Sequence, residues 1–466
     1  MNEQEKNEFY IHPTVSRVLR ITALVLILLT VYLTAKIAIT FCLGLFASGN
    51  HVVQLPWQES PIVELYDGTD GKKPVIGPGE LAEVARTDIL VTGDVLLHMP
   101  IVRSAWTGDG YDFDDVFAHI KPYITAAGYA TANLETTLAG MDKTFSGFPN
   151  FNSPDEIAGS MKNAGFDMLV TATEHCYDFG TEGLLRTLST VQGMELDVLG
   201  TVESADQPRH SIRTVSGIRI GMAGYTFSDL REDGSVGLNG LTAESDAAGL
   251  INTFDTKALS RFYTEIEGEL AAMRSGGADI TVLYLHWGDE YSTVVSDTQR
   301  SMAQKLCDLG VDVIIGSHPH VVQPIDLLTA STDPNHKTLV LYSTGTLLSN
   351  LRADTSDLPS GHSEDGFIFR FTLAKYNDDS VRIASVGVLP TWVVVHGSGE
   401  ERDFCILPLN QAVTDWEKTY GLSLSQLSDA KNSYNRTMAQ VTSGLNKITA
   451  YLSEQNALLD PSLGVG

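Results

Sequence analysis

Only four cysteines occur in 466 residues, Cys42, Cys176, Cys307 and Cys405, and no two of them share a short spacing. That argues against a zinc ribbon or a disulfide framework, so the compartment has to be read from other features. Basic residues are scarce too. The 31 Lys and Arg stand against 58 Asp and Glu, a formal net charge of -27. No basic run appears, which argues against nucleic acid as a partner, because binding a phosphate backbone needs clustered cations. Charged residues at 19% and hydrophobic ones at 43% describe a folded chain rather than a disordered one. The length exceeds one ordinary core and suits one large catalytic domain with appendages.

One long apolar run is present. Residues 21–47, "ITALVLILLTVYLTAKIAITFCLGLFA", carry only Lys36 and a few hydroxyls. That is enough to span a bilayer core of about 30 Å. The run is longer than a signal peptide's apolar region and lacks an A-x-A-like end, so it reads as a retained anchor. Bulky Phe41 just before Cys42 argues against lipid attachment there. Arg17 and Arg20 flank the near side, while residues 48–71 contain no Lys or Arg. The positive-inside rule then places residues 1–20 as a cytoplasmic tail and the main domain outside the cell. Residues 48–85, rich in Pro, Gly and acidic side chains, read as a linker.

From residue 86 the pattern changes to short β-branched runs separated by helical stretches. "DILVTGD", "YATANLE", "DMLVTAT", "IRIGMAGYTF", "ITVLYLHWG", "DVIIGSHPH" and "LVLYSTGT" look like buried strands of an α/β fold with function at their C-terminal ends. The stretch "SPDE", Ser153 to Glu156, predicts a capping box with Pro at the first helical position, and "SDTQ", Ser296 to Gln299, predicts a second box. The second helix should run over 297–309 and stop at Gly310. The domain spans 86–410, closed by "RDFCILPL". Residues 411–466 form a C-terminal helical segment in which Leu427, Ala430, Tyr434, Met438, Val441, Leu445, Ile448 and Leu452 trace one stripe. That stripe either packs on its own domain, the preferred reading, or mediates a homodimer; Gly444 is expected to interrupt the helix.

Chemistry-bearing residues collect at strand ends. Asp94 follows "ILVTG", Asn133 and Glu135 follow "YATA", and Glu174, His175 and Asp178 follow "MLVTAT". His286 and Glu290 follow "TVLYL", and His318 and His320 follow "VIIGS". Singly, each could be a cap or a solvated loop residue. Together they match the needs of a dinuclear site, where two divalent ions require a bridging carboxylate, further carboxylates and neutral imidazoles. Mn, Zn or Fe would each suit such donors. Within "GSHPH", Pro319 is expected to hold His318 in an extended backbone that aims both imidazoles.

The motifs "TGDVLLH", "ANLETTLAG", "TATEHCYDFG", "LHWGDEYS", "GVDVIIGSHPHVVQPID" and "LYSTGT" occur in the order found in the CapA-type poly-gamma-glutamate capsule synthesis family. The resemblance covers about residues 86–395. It implies a four-layer α/β/β/α sandwich of the metallophosphoesterase type with a metal site on one edge. By that resemblance Asp94 is the first metal's aspartate and Glu135 the bridging carboxylate. Glu174, His286 and His318 belong to the second metal, and His320 to the first. His175 matches the histidine that acts on the leaving group, with Asp178 orienting it. Asn133, Glu290 and Tyr342 fall at substrate-contacting or supporting positions.

Three departures stand out. Position 96 is Leu where the metallophosphoesterase pattern has His, so the first metal lacks an imidazole unless His98 reaches in. Thr173 and Glu174 stand where two amides are usual, and Thr346 where an asparagine is expected. With Glu174 as a ligand, three carboxylates cancel three of the four positive charges of two divalent ions. Such a centre binds metal more tightly and an anionic substrate less strongly. Alternatively Glu174 turns away and the second site stays empty. The functional expectation is metal-assisted hydrolysis of a phosphoester or an anionic polymer at the cell envelope. The other class is a non-catalytic scaffold that binds polymer or organises capsule synthase subunits.

Overall fold

Apolar runs closed by a polar residue become strands here because both of their faces find cover. The computed structural model describes residues 81–352, 362–399, 402–413 and 415–459. The expected tail, anchor and most of the linker lie outside the described residues. Among the described residues no helix is long and apolar enough to cross a membrane. The linker stretch gives way to strand at Glu83, which pairs with Tyr376.

The fold is mixed α/β with several sheets. The first sheet runs from edge to edge through Asp403–Pro408, Val381–His396, Asp365–Tyr376, Glu83–Val95, Tyr129–Leu134, Met168–Val170 and Asp197–Leu199, with Thr346–Leu348 beside Glu83–Val95. The second runs through Thr253–Phe254, Ile218–Phe227, Ile280–His286, Val313–Ser317, Lys337–Leu341 and Ile325–Thr329, with His210–Val215 beside Ile218–Phe227. A small third sheet joins Asp229–Leu230, Val236–Leu238 and Leu241–Ala243. All seven expected runs are strands.

Alternation along each strand decides what it touches. In Tyr129–Leu134, Ala130, Ala132 and Leu134 face a cluster with Ile101, Phe117, Ile157 and Met161 from flanking helices. Thr131 points the other way, its hydroxyl 3.1 Å from the Tyr284 hydroxyl of the second sheet. Leu283 and Leu285, beside that Tyr284, pack on Phe262, Ile266, Leu270, Met302 and Leu306 of the second sheet's helices. The two sheets therefore meet face to face with helices outside. Neighbouring parallel strands also end in register, Asp94 beside Asn133 and His286 beside Ser317. Strand ends that carry polar groups are thereby gathered on one edge.

The two capping-box expectations fare differently. Ser296 caps the helix Asp297–Asp308 with the full reciprocal box to Gln299, and Gly310 follows at φ 91°. Ser296→Ala is expected to cost about 1 kcal/mol, read as a lower urea midpoint with unchanged slope. The box at Ser153 does not form. The helix starts at Glu156 with Asp155 at its cap position, while the buried Ser153 hydroxyl lies 2.8 Å from that of Thr136. A tertiary partner has taken the group that local spacing assigned to the cap.

The helix Leu424–Leu459 packs along Val381–His396 of the first sheet and Ile325–Thr329 of the second. Its stripe faces its own domain, with Ala430, Val441, Leu445, Ile448 and Leu452 buried. Arg436 forks onto Asp365 at 2.7 and 2.9 Å, and Lys447 reaches Asp326 at 2.7 Å. Gly444 does not interrupt the helix. It marks the closest approach to the Ile325 backbone carbonyl, where a Cβ would overlap that oxygen.

Candidate metal centre

At the gathered edge, six side chains from five strand ends converge. Asp94 closes Glu83–Val95, Glu135 follows Tyr129–Leu134 and His286 ends Ile280–His286. His318 and His320 follow Val313–Ser317. Glu174 opens a short 3-10 turn, Glu174–Tyr177, whose first amides are capped by Thr173: its hydroxyl accepts from the His175 N–H at 3.2 Å. Thr173 thus has a local job in place of the amide usual at its position.

Two buried groups have ligand-atom spacing for a metal ion, Glu135 with Glu174, His286 and His318, and Asp94 with Glu135 and His320. Glu135 belongs to both. Its Oε1 lies 3.4 Å from His286 Nε2 and 3.6 Å from His320 Nε2. Glu174 does not turn away: Oε1 is 2.8 Å from His318 Nδ1 and Oε2 abuts His286 Nε2. Asp94 Oδ2 lies 3.0 Å from His320 Nδ1. The exposed Glu290, 3.9 Å from His320 Nε2, forms a looser third group with Glu174 and His320.

These atoms are close, yet Glu135 Oε1, Glu174 Oε2, His286 Nε2 and His318 Nδ1 are buried and complete no hydrogen bond. Buried polar atoms are normally paired. Four carboxylate and imidazole atoms crowded together without that pairing have the lone-pair arrangement a divalent cation satisfies. The residues present therefore fit metal ions. The outer contacts fit as well. Ser317 Oγ lies 2.8 Å from His286 Nδ1, a contact that leaves Nε2 for the cluster. Asn133 donates to Asp94 Oδ1 at 2.9 Å, which holds the carboxylate from behind. Phe227 stacks parallel to the His286 ring at 6.4 Å.

Electrostatics separate the two central carboxyls. Burial pushes Glu135 well above the usual carboxylate range, with Asp94 and Glu174 adding to the effect. Burial alone would raise Glu174 as well, but the His286 and His318 imidazoles outweigh it and hold Glu174 well below. His286 is raised because Glu174 overcomes its burial, and His320 because Glu135 and Asp94 do.

The backbone around "GSHPH" differs from expectation. His318 sits at φ 95° and His320 at φ 55°, so the residue before Pro319 is not extended. Its N–H donates to Asp94 Oδ2 at 3.3 Å, and the Tyr291 N–H donates to the Pro319 carbonyl at 2.7 Å. These tertiary bonds override the local preference set by proline.

One other expectation needs correction, that for Tyr342. Tyr342 is not at the cluster: its ring packs against Trp287 at 6.1 Å and its carbonyl accepts from the Trp287 indole. His98 does not reach Asp94. Its ring meets Phe151 edge-on at 5.2 Å, its Nδ1 accepts from the Asn350 N–H at 3.4 Å, and burial with His320 and His175 nearby pushes it down to about 4.

His175 lies beside the cluster, its Nδ1 2.8 Å from Asp178 Oδ2, on the wall of a cleft of about 860 Å³ that also touches Glu174, Phe227, Glu290 and His318. One contact escaped the sequence reading. Asn239, in the turn between the last two strands of the small sheet, places its Nδ2 2.7 Å from Asp178 Oδ1, 2.8 Å from the Pro149 carbonyl and 3.2 Å from His175 Nδ1. "NG" at 239–240 does signal a tight hairpin turn. Its neighbour across 64 positions of chain does not show in the local pattern.

Residues 88–351 match the family described as bacterial capsule synthesis protein PGA_cap. The chain is similar to the capsule biosynthesis protein CapA of Bacillus anthracis, 25% identical over 262 residues that make up 54% of this chain and 59% of that protein. It is also similar to the PGA biosynthesis protein CapA of Bacillus subtilis, 27% identical over 240 residues, 50% of this chain and 56% of that one. The match thus spans little more than half the length of these relatives. It does take in Asp94, Glu135, Glu174, His286, His318 and His320, and it extends over more than half of this chain: the protein belongs to the PGA_cap family of bacterial capsule synthesis proteins.

Proposed function

We propose that this chain is a dinuclear-metal hydrolase of the phosphoesterase kind, with the four-layer metallophosphoesterase-type fold, acting in the synthesis or export of capsule or poly-gamma-glutamate. The observation that carries the reading is the pair of buried ligand groups sharing Glu135, with four buried donor atoms lacking hydrogen bonds. Asp94, Glu135 and His320 would hold one ion, and Glu135, Glu174, His286 and His318 the other. Bound there, divalent ions supply Lewis acidity and acidified water. His175, tied at Nδ1 to Asp178, keeps Nε2 for the cleft, where it can give or take a proton at a leaving oxygen. Substrates of this reading are a phosphoester or an anionic polymer. The anchor reading of residues 21–47 would hold the domain outside the cell, beside capsule synthase subunits.

A second reading, a non-catalytic polymer-binding or scaffolding component, is favoured by one observation. The group at Asp94 has only three members, with Leu96 offering no ligand and His98 engaged elsewhere. Metal analysis of the purified full chain, followed by turnover of a chromogenic phosphodiester with Mn2+ or Zn2+, separates the two. The hydrolase reading expects about two ions per chain and a loss of about 100-fold or more in kcat for His175→Ala. A metal-free chain without turnover would leave the scaffold reading.

A further inference from the structure

The small three-stranded sheet supplies a residue to the His175 site that neither the strand-end pattern nor the family motifs contain. Asn239 at φ 45° and Gly240 at φ 74° are the two central residues of the hairpin turn between Val236–Leu238 and Leu241–Ala243. Both lie in the left-handed region, which is what a two-residue type I′ turn requires. The turn delivers the Asn239 amide into a place where proton counting is strict. Asp178 Oδ1 and the Pro149 carbonyl are both acceptors, at 2.7 and 2.8 Å. The atom facing them must therefore be the amide nitrogen, and its two hydrogens are both used. None is left for His175 Nδ1 at 3.2 Å. That ring nitrogen must carry its own hydrogen and donate it to Asp178 Oδ2 at 2.8 Å, an oxygen that also accepts from the Phe151 N–H at 2.7 Å.

We infer that Asn239 is a positioning residue: it pins the Asp178 carboxylate so that Oδ2 faces His175, which fixes the Nδ1–H tautomer and turns Nε2 to the cleft. The inference rests on the proposed role of His175. It also gives the small sheet a double duty, since Gly237, Asn239 and Gly240 line the same cleft. The wall that substrate touches is the element that sets the proton-carrying group.

Two variants keep the turn while removing the amide. Asn239→Gly retains the left-handed turn, and Asn239→Asp retains turn chemistry but sets an acceptor against Asp178 Oδ1. In the Zn2+-loaded full chain, kcat toward a chromogenic phosphodiester is expected to fall about tenfold or more in both, with KM and zinc content unchanged. Nitrogen-15 histidine spectra, with His175 identified by its loss in His175→Gln, are expected to show the Nδ1–H tautomer in the parent chain and a tautomer mixture in Asn239→Gly. An unchanged kcat, or a rise in KM alone, would overturn the inference. Should the parent chain prove inactive, the hydrolase reading fails but the spectra still decide the positioning claim. An unchanged His175 signature in both variants would refute it.

Discussion

Glu135→Ala is expected to reduce the metal content of the chain from about two ions to fewer than one, whereas Asp94→Ala removes a single ion. The asymmetry follows from membership of the groups. Glu135 belongs to both, so its loss leaves Glu174, His286 and His318 on one side and only Asp94 and His320 on the other. Loss of a residue that only hydrogen-bonds a ligand costs about 10- to 100-fold in affinity, and loss of a shared ligand should exceed that at both positions. The variant should still fold. Burial holds the Glu135 carboxyl well above its usual range, so its removal relieves a desolvation cost in the metal-free chain, and the polar hole left behind can take water. Metal analysis by mass spectrometry of the full chain, with circular dichroism for folding, checks the claim. If Glu135→Ala retains two ions, the shared-ligand arrangement is wrong.

Gly444→Ala is expected to destabilise the chain, although alanine is the better helix former. Propensity alone favours the substitution by about 1 kcal/mol. Against it, the new Cβ would overlap the Ile325 carbonyl, a backbone atom of a paired strand that cannot swing aside. Overpacking of this kind costs about 1–3 kcal/mol. The helix would be levered off the seam where it bridges the two sheets, weakening Lys447 to Asp326 as well. Gly268→Ala in the helix Leu259–Ser275 is the contrast, because no atom lies within 4 Å of its built Cβ. It should gain about 0.5–1 kcal/mol. Denaturant unfolding of the full chain should thus give opposite signs for two Gly→Ala changes in helices. Equal signs would mean that the Ile325 contact does not matter to stability.

What could be read from residue order was whatever is carried by local pattern. Apolar runs with a polar closing residue marked the strands, and parallel register brought their ends together, so Asp94, Glu135, Glu174, His286, His318 and His320 were found without knowledge of the fold. Ser296 was legible because its box is closed within four residues. Tertiary competition hid the rest. Thr136 captured the Ser153 hydroxyl, hydrogen bonds to Asp94 and Tyr291 outweighed the preference set by Pro319, and the Trp287 ring drew Tyr342 into the core. Asn239 announced a turn, but its role depends on Asp178 and Pro149, which only the assembled sheets bring near. Gly444 looked like a helix defect because the carbonyl it accommodates belongs to a distant strand.

The positive φ angles at His318 and His320 would link any ions held by the cluster to the stability of the fold. A non-glycine residue in that region costs about 1–3 kcal/mol, and here two such residues flank one proline. The metal-free chain bears this strain to keep its imidazoles aimed. An ion that binds only the folded state returns about 2.7 kcal/mol at a hundred times its dissociation constant, comparable to the strain of one such residue. The cluster is then coupled to folding in both directions: scarcity of metal shortens the life of the folded chain, and any change that loosens the turn releases metal. Where such ions are scarce, less of the chain would stay folded, so abundance itself would report the supply.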